Sequence, residues 1–205
     1  MIIDIQHFIA VVPAAWQEEI LAEPWELTQR LPDILWRLIA RITESEYHIQ
    51  HGIAIHRSAI VEEGAVIKAP VVIGKDCFVG AHAYLRGGVY LEEKVKIGPG
   101  CEIKSSLILS GSALAHFNFA GDSLVGNQVN IEAGAILANH YNERTDKTIF
   151  VHGPSGIFST GTARFGALLG DGCRIGANAV LSPGTLLEKN TVVGRLQLVE
   201  QHPVP

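Results

Sequence analysis

The 205-residue chain has no run of Lys or Arg, no long uninterrupted apolar stretch, one methionine and three cysteines. Each scarcity excludes something. A net charge of −5 with no basic cluster argues against a nucleic-acid partner. No apolar segment approaches the length of a membrane span, and no basic region precedes an apolar one at the N-terminus. Neither a membrane nor a secretory route is therefore indicated, and the expected location is cytoplasmic. Nearly half of the residues are hydrophobic and glycine is abundant, enough for one main domain with appendages and a sizeable core.

What the chain does have is a sixfold period. Ile55, Val61, Ile67, Ile73, Val79, Leu85, Leu91, Ile97, Ile103, Leu109 and Ala115 fall on successive sixth positions, and Leu169, Ile175, Leu181, Leu187, Val193 and Val199 repeat the spacing. A helix requires a 3.6-residue period and a half-buried strand strict alternation, so the pattern fits neither. It fits a hexapeptide-repeat parallel β-helix, in which three hexads form a triangular coil and the aliphatic residues point inward. Val125, Ile131 and Leu137 keep the period in a shifted phase, which predicts a segment looping out after Ala115. Cys77, Cys101 and Cys173 each occupy the small-residue place of a hexad and read as packed core thiols rather than ligands or a disulfide framework.

The first fifty residues differ. Ala14 to Leu21 and Pro24 to Arg41 read as helices, the second opened by Pro24 and expected to kink or split at Pro32. Residues 1–50 are expected to form a helical cap on the open end of a solenoid spanning 51–200. A competing reading makes Trp16, Trp25 and Trp36 a partner contact. Between Asn139 and Leu169 the period disappears, and the Pro154-Ser155-Gly156 and Thr160-Gly161-Thr162 clusters predict an inserted loop over about 139–166, of a length that tends to be functional.

Several spaced pieces lie around the phase break: Leu85-Arg86-Gly87-Gly88, Glu102-Ile103-Lys104, Ala115-His116, Gly121-Asp122, Val129-Asn130-Ile131-Glu132-Ala133-Gly134 and Asn139. Together they resemble the acetyltransferase half of the bifunctional uridyltransferase/N-acetyltransferase family that makes UDP-N-acetylglucosamine from glucosamine-1-phosphate. The resemblance is good over roughly 50–150 and looser elsewhere. It implies an all-β, left-handed parallel β-helix with a short N-terminal helical segment, working as a homotrimer with active sites between subunits. The implied activity is acetyl-CoA-dependent N-acetylation of an amino-sugar phosphate or a nucleotide amino sugar, in cell-envelope biosynthesis.

The chemistry requires a neutral amine to attack a thioester, and histidine is the side chain suited to take its proton near neutrality. The resemblance assigns that role to His116. It assigns Arg86 and Lys104 to the sugar phosphate, Phe119, Asn130 and Asn139 to the sugar, and the backbone at Ala133 to the oxyanion. The coenzyme is expected along the C-terminal coils, where Ala177 stands at a contact position. Read alone, Arg86 and Lys104 would be surface charges, and Asn130 could equally be a turn residue or part of a structural ladder.

The chain also departs from that pattern. Phe119 replaces a tyrosine, Thr145 replaces a phosphate-binding lysine although Arg144 and Lys147 lie nearby, Glu132 replaces a glycine, and Ala177 replaces a serine. A basic partner for the coenzyme phosphates has no match unless Arg174 or Arg195 serves. Two alternatives stand beside the acetyltransferase reading: a lipid-A-type acyltransferase using a longer acyl chain on UDP-N-acetylglucosamine, which would need an apolar groove, and a non-catalytic sugar-phosphate-binding repeat protein whose shortened coenzyme site is dead. A zinc hydratase of the same fold would need a second histidine five residues after His116, where Gly121 stands, so no metal site is expected. Mg2+ could accompany the coenzyme phosphates, but no local residue demands it.

Overall fold

In the computed structural model, which describes residues 2–153 and 155–201, short parallel strands stack into three flat faces. Pro154 of the predicted turn cluster lies outside the described residues. The first face runs through Ile53–His56, Val71–Ile73, the second half of Tyr84–Leu91, the second half of Glu102–Ile108, Leu124–Val125, Ala167–Leu169 and Thr185–Leu187. The second face is a separate seven-stranded sheet that includes Ala113–Leu114, Asn130–Ile131 and Arg174–Ile175. The third includes Phe119–Gly121, Ile136–Leu137 and Val180–Leu181. Two long strands, Tyr84–Leu91 and Glu102–Ile108, bend through the corner between the third and first faces and join them into one thirteen-stranded sheet. The architecture is the expected left-handed parallel β-helix.

Each face contributes one inward column. Ile73, Leu91, Ile108, Val125, Leu169 and Leu187 line the first, Val79, Ile97, Leu114, Ile131, Ile175 and Val193 the second, and Leu85, Ile103, Ala120, Leu137 and Leu181 the third, all in one buried cluster. This corrects the sequence-based phase. Leu109 and Ala115 are not inward residues; Ile108 and Leu114 are, because the steps Ile103 to Ile108 and Ala120 to Val125 are one residue short of a hexad. No segment loops out after Ala115, where the chain continues directly into strand Phe119–Gly121.

The short corners are made by serine. Ser105 and Asp122 adopt left-handed backbone, with φ of 46° each. Behind them the fully buried Ser106 and Ser123 bond corner to corner. Ser123 N–H donates to Ser106 Oγ at 3.0 Å, Ser123 Oγ donates to Gly121 O at 2.8 Å, and Ala167 N–H donates to Ser123 Oγ at 3.0 Å. A hydroxyl satisfies the backbone groups that a tight turn would otherwise leave buried and unpaired.

The outward side of the first face is apolar as well. Val72, Leu107, Leu124, Leu168 and Leu186 are buried beneath the N-terminal segment and the insertion. Helix α1 (Ile5–Phe8) is followed by two 3-10 turns, Ala14–Trp16 and Glu19–Leu21, and then by helix α2 (Pro24–Ile39). α2 begins with Pro24 and a Glu23/Glu26 capping box, and ends on Ala40. It lies along the side of the solenoid rather than across its open end: Trp25 meets Phe165 edge-on at 5.9 Å, while Trp36 at the other end lies against Gly52. The helix passes uninterrupted through Pro32. The space Pro32 needs comes from a β-bulge at Gly87-Gly88, where a Cβ on Gly88 (φ +90°) would stand 3.0 Å from Pro32 N.

The 139–166 insertion is built rather than shapeless. It carries an antiparallel hairpin, Phe150–Gly153 with Gly156–Ser159, where the residue pattern predicts only a loop. Ile149, Val151 and Phe165 pack into the cluster on the first face. The neck is closed by Phe165 N–H to Asn139 O (3.1 Å) and Gly166 N–H to Asp122 O (2.9 Å). All three cysteines are buried, and burial pushes each thiol up, that of Cys77 to about 11. Among the described residues no helix is long and apolar enough to cross a membrane.

Gly88→Ala should lower the unfolding free energy by about 1–3 kcal/mol, because the new methyl is strained by its positive φ and pressed against Pro32. Urea unfolding followed by circular dichroism would check this, and an unchanged midpoint would show that α2 does not depend on the bulge.

Candidate functional site

The tight corner at Ser105 and Asp122 fixes a polar cluster at one edge of the third face. Lys104 Nζ donates to Asp122 Oδ2 at 2.8 Å and Oδ1 at 3.1 Å, and the two side chains are only 20% and 8% exposed. Asn139 Nδ2 also donates to Asp122 Oδ2. This contact fixes the orientation of the Asn139 amide, since a carboxylate only accepts. Gly121 makes the convergence possible: a Cβ there would stand 2.6 Å from Asn139 Nδ2 and 2.7 Å from Phe119 Cζ. In the neighbouring coils, Arg86 donates to Glu102 through Nε at 2.7 Å, and its guanidinium lies 5.6 Å from the Tyr84 ring centre. Each expected phosphate-binding cation therefore already has a carboxylate partner.

His116 occupies the opposite edge of the same face, on the corner between the second and third faces, and is exposed. Its ring has no hydrogen-bond partner among the described residues. Its backbone is held, with His116 O accepting from Gly134 N–H at 2.9 Å. Beneath it Asn118, 2% exposed, donates through Nδ2 to Glu132 O at 2.6 Å. Phe117 has φ 52° and is 73% exposed, and it rests against Gly100 of the preceding coil.

The same corner one coil on holds Ala133. At two equivalent turns the backbone N–H is tied to a carboxylate in the coil before: Ala81 N–H donates to Glu62 at 2.7 Å and Ala177 N–H to Glu132 at 2.9 Å. The residue in that place ahead of Ala133 is Ala115, whose side chain has no acceptor. Among the described residues the Ala133 N–H is consequently unpaired, and it stands beside His116. An N–H left unpaired at the surface can donate to an oxygen brought to it.

Further along the second face Glu132 forms a two-pronged pair with Arg195, Nε to Oε2 at 2.9 Å and Nη2 to Oε1 at 3.1 Å, reaching across Gly176. The Arg195 hydrogen bond, and after it that from Ala177, hold the Glu132 carboxyl down to about 2. A recess of about 240 Å³ lies beside this pair, lined in part by Asn130, Arg174 and Gly194.

Sequence reasoning placed Arg86, Lys104, Phe119 and Asn139 together, and the third face does so. His116 and Ala133 adjoin at the other edge of that face. Asn130 is not brought to them within one chain: its side chain looks out from the second face, towards Arg174. Arg144, considered as a replacement phosphate ligand, instead lies 3.3 Å from the Tyr141 ring centre and pairs with Glu200 at 3.2 Å. Glu102, Asp122 and Asn118 were missed as site residues. The first two stand inside the quoted motif pieces, and a charged residue at a corner beside a lysine or arginine was the available signal.

Comparison with known proteins agrees on the repeat. The family described as bacterial transferase hexapeptide (six repeats) matches residues 70–105, and the hexapeptide repeat of succinyl-transferase matches 167–194. A bifunctional sugar-1-phosphate nucleotidylyltransferase/acetyltransferase of Sulfurisphaera tokodaii is 31% identical over 170 residues, covering 80% of this chain and 41% of the relative. The bifunctional protein GlmU of Heliobacterium modesticaldum is 36% identical over 140 residues, covering 66% and 29%. That of Desulfitobacterium hafniense strain DCB-2 is 40% identical over 133 residues, covering 62% and 26%. The chain spans less than half the length of these curated relatives.

The depressed Glu132 pKa yields a pH test. A carboxyl whose folded pKa lies below its ordinary 4.5 stabilises the protein above that value, and the contribution is lost as pH falls towards about 2. The melting temperature of the wild type should exceed that of Glu132→Gln by a constant margin above about pH 4.5 and converge with it near pH 2. Parallel curves over the whole range would show that the pair contributes nothing.

Proposed function

The chain is a hexapeptide-repeat protein, and from that premise we propose that it is an acetyl-CoA-dependent N-acetyltransferase acting on an amino-sugar phosphate of the glucosamine-1-phosphate type, or on a nucleotide amino sugar. The observation that carries the reading is the pairing at one corner of an unencumbered histidine, His116, with an unpaired backbone donor, Ala133 N–H.

In this reading the amine nitrogen of the sugar attacks the thioester carbonyl carbon while His116 takes the amine proton. The carbonyl oxygen, becoming negative, is met by the Ala133 N–H. When the intermediate collapses the carbon–sulfur bond breaks, and His116 returns its proton to the departing coenzyme thiolate. The products are an N-acetyl sugar and free coenzyme A. Phe119 gives the sugar an apolar surface without a phenolic hydrogen bond, and Asn139, turned by Asp122, presents its carbonyl oxygen to the amine. Arg86 and Lys104 would receive the phosphate while still sharing charge with Glu102 and Asp122.

A homotrimer belongs to the same proposal. Phe117 on the corner that carries His116 and, three coils on, Val192, Leu196 and Leu198 are exposed apolar side chains available to another subunit. Asn130, on the second face of one chain, would then reach the third face of its neighbour.

Release of free thiol from acetyl-CoA with glucosamine-1-phosphate tests the reading directly. His116→Ala should lower kcat by about 10²- to 10⁴-fold while leaving the fold intact. Equal turnover in both proteins would remove His116 as the base, and a correctly folded wild type that releases no thiol would remove this acceptor.

A further inference from the structure

The corner that follows the second face repeats once per coil, at Ala81, Pro99, His116, Ala133, Ala177 and Arg195. A glutamate one coil earlier and one place back caps the corner N–H at two of these turns, Glu62 at Ala81 and Glu132 at Ala177. Ala115 and Gly176 hold that place ahead of Ala133 and Arg195, and among the described residues those two N–H groups are unpaired. A Cβ on Gly176 would stand 2.5 Å from Arg195 N, so a capping side chain has no room there. From Ala133 towards the C-terminal coils, three N–H donors therefore follow one another about 4.8 Å apart, the spacing of neighbouring strands. The middle donor is taken by Glu132, and Arg195 grips the same carboxylate through Nε at 2.9 Å and Nη2 at 3.1 Å. In the other direction the row passes His116 and stops at Pro99, which has no N–H.

We infer that Glu132 is an internal competitor of the coenzyme, which binds by displacing this carboxylate from Ala177 N–H and from Arg195. The inference rests on the acyl-transfer reading, which puts the thioester at the Ala133 N–H. The arm of coenzyme A that leads away from the thioester carries two amides, whose carbonyl oxygens accept hydrogen bonds, and then a diphosphate, which pairs with cations. The C-terminal direction offers both kinds of partner: the N–H groups of Ala177 and Arg195 for the amides, and the Arg195 guanidinium for the diphosphate. Binding is then an exchange. An amide oxygen replaces the carboxylate at Ala177 N–H, Arg195 swings from Glu132 to the diphosphate, and Glu132, already 38% exposed, turns to water. Giving up these charge-assisted bonds opposes coenzyme binding, so a side chain without the carboxylate should leave the row open and the affinity higher.

The test needs no knowledge of the acceptor sugar. Binding of coenzyme A would be measured by calorimetry on the wild type, Glu132→Ala, Glu132→Gln and Glu62→Ala, with melting curves to show that each is folded. Glu132→Ala should bind coenzyme A at least about tenfold more tightly than the wild type. Glu132→Gln, whose amide oxygen still accepts from Ala177 N–H but which forms no ion pair with Arg195, should gain less. Glu62→Ala removes the same kind of cap at Ala81, on the far side of Pro99, and should leave the affinity unchanged. Affinity unmoved or lowered in Glu132→Ala, or raised equally in Glu62→Ala, would overturn the competition and leave acyl transfer standing. Coenzyme bound by none of the four proteins would overturn the acyl-transfer reading and this inference with it.

Discussion

No single coil of this protein has a core of its own, and that constraint governs everything else in it. Each coil supplies one inward aliphatic residue per face, and the residue is dry only because the coils above and below cover it. Stacking must therefore be in register, and the corners carry the burden of keeping it. Where the chain is one residue short, buried serines replace the missing backbone partners, and the two corners fall directly over one another. The site inherits its geometry from this repair. Asp122 is at the second short corner and Lys104 immediately before the first, so the ion pair between them is a product of register as much as of charge.

The three faces divide the labour. The first is apolar on both sides and is sealed by α2, the N-terminal turns and the hairpin insertion. That leaves the second and third faces, and the corner between them, as the exposed flank. His116, the unpaired Ala133 N–H, the Lys104–Asp122–Asn139 cluster and the Glu132–Arg195 pair all lie there. Sealing one side leaves the other two as the flank on which the proposed chemistry would take place.

Much of the fold was legible in the sequence, because a sixfold aliphatic period has almost no competing explanation. The errors have physical causes. Leu109 and Ala115 sit on the hexad count, yet Leu109 is buried outside the solenoid, because apolar residues flank both sides of the first face. In Leu107-Ile108-Leu109 period alone cannot say which residue points inward. The same doubly apolar strands, Val71-Val72-Ile73 and Ala167-Leu168-Leu169, were the available signal that something would lie along this face, and α2 does. Pro32 was expected to break α2 because local chemistry says so; a bulge distant in sequence, at Gly87-Gly88, accommodates it. Arg86, Lys104 and Asn139 were readable as motif, but that Glu102 and Asp122 would neutralise the two cations depends on register between coils. The unpaired state of Ala133 N–H likewise depends on Ala115, a coil earlier.

We propose that acyl transfer takes place at the corner shared by the second and third faces. The most direct test is a crystal structure with acetyl-CoA and a non-reactive analogue of the amino sugar bound. The thioester oxygen should lie within about 3 Å of Ala133 N, with the acceptor carbon that replaces the amine facing His116. Coenzyme bound against the first face, or a thioester held away from both His116 and Ala133, would contradict the account.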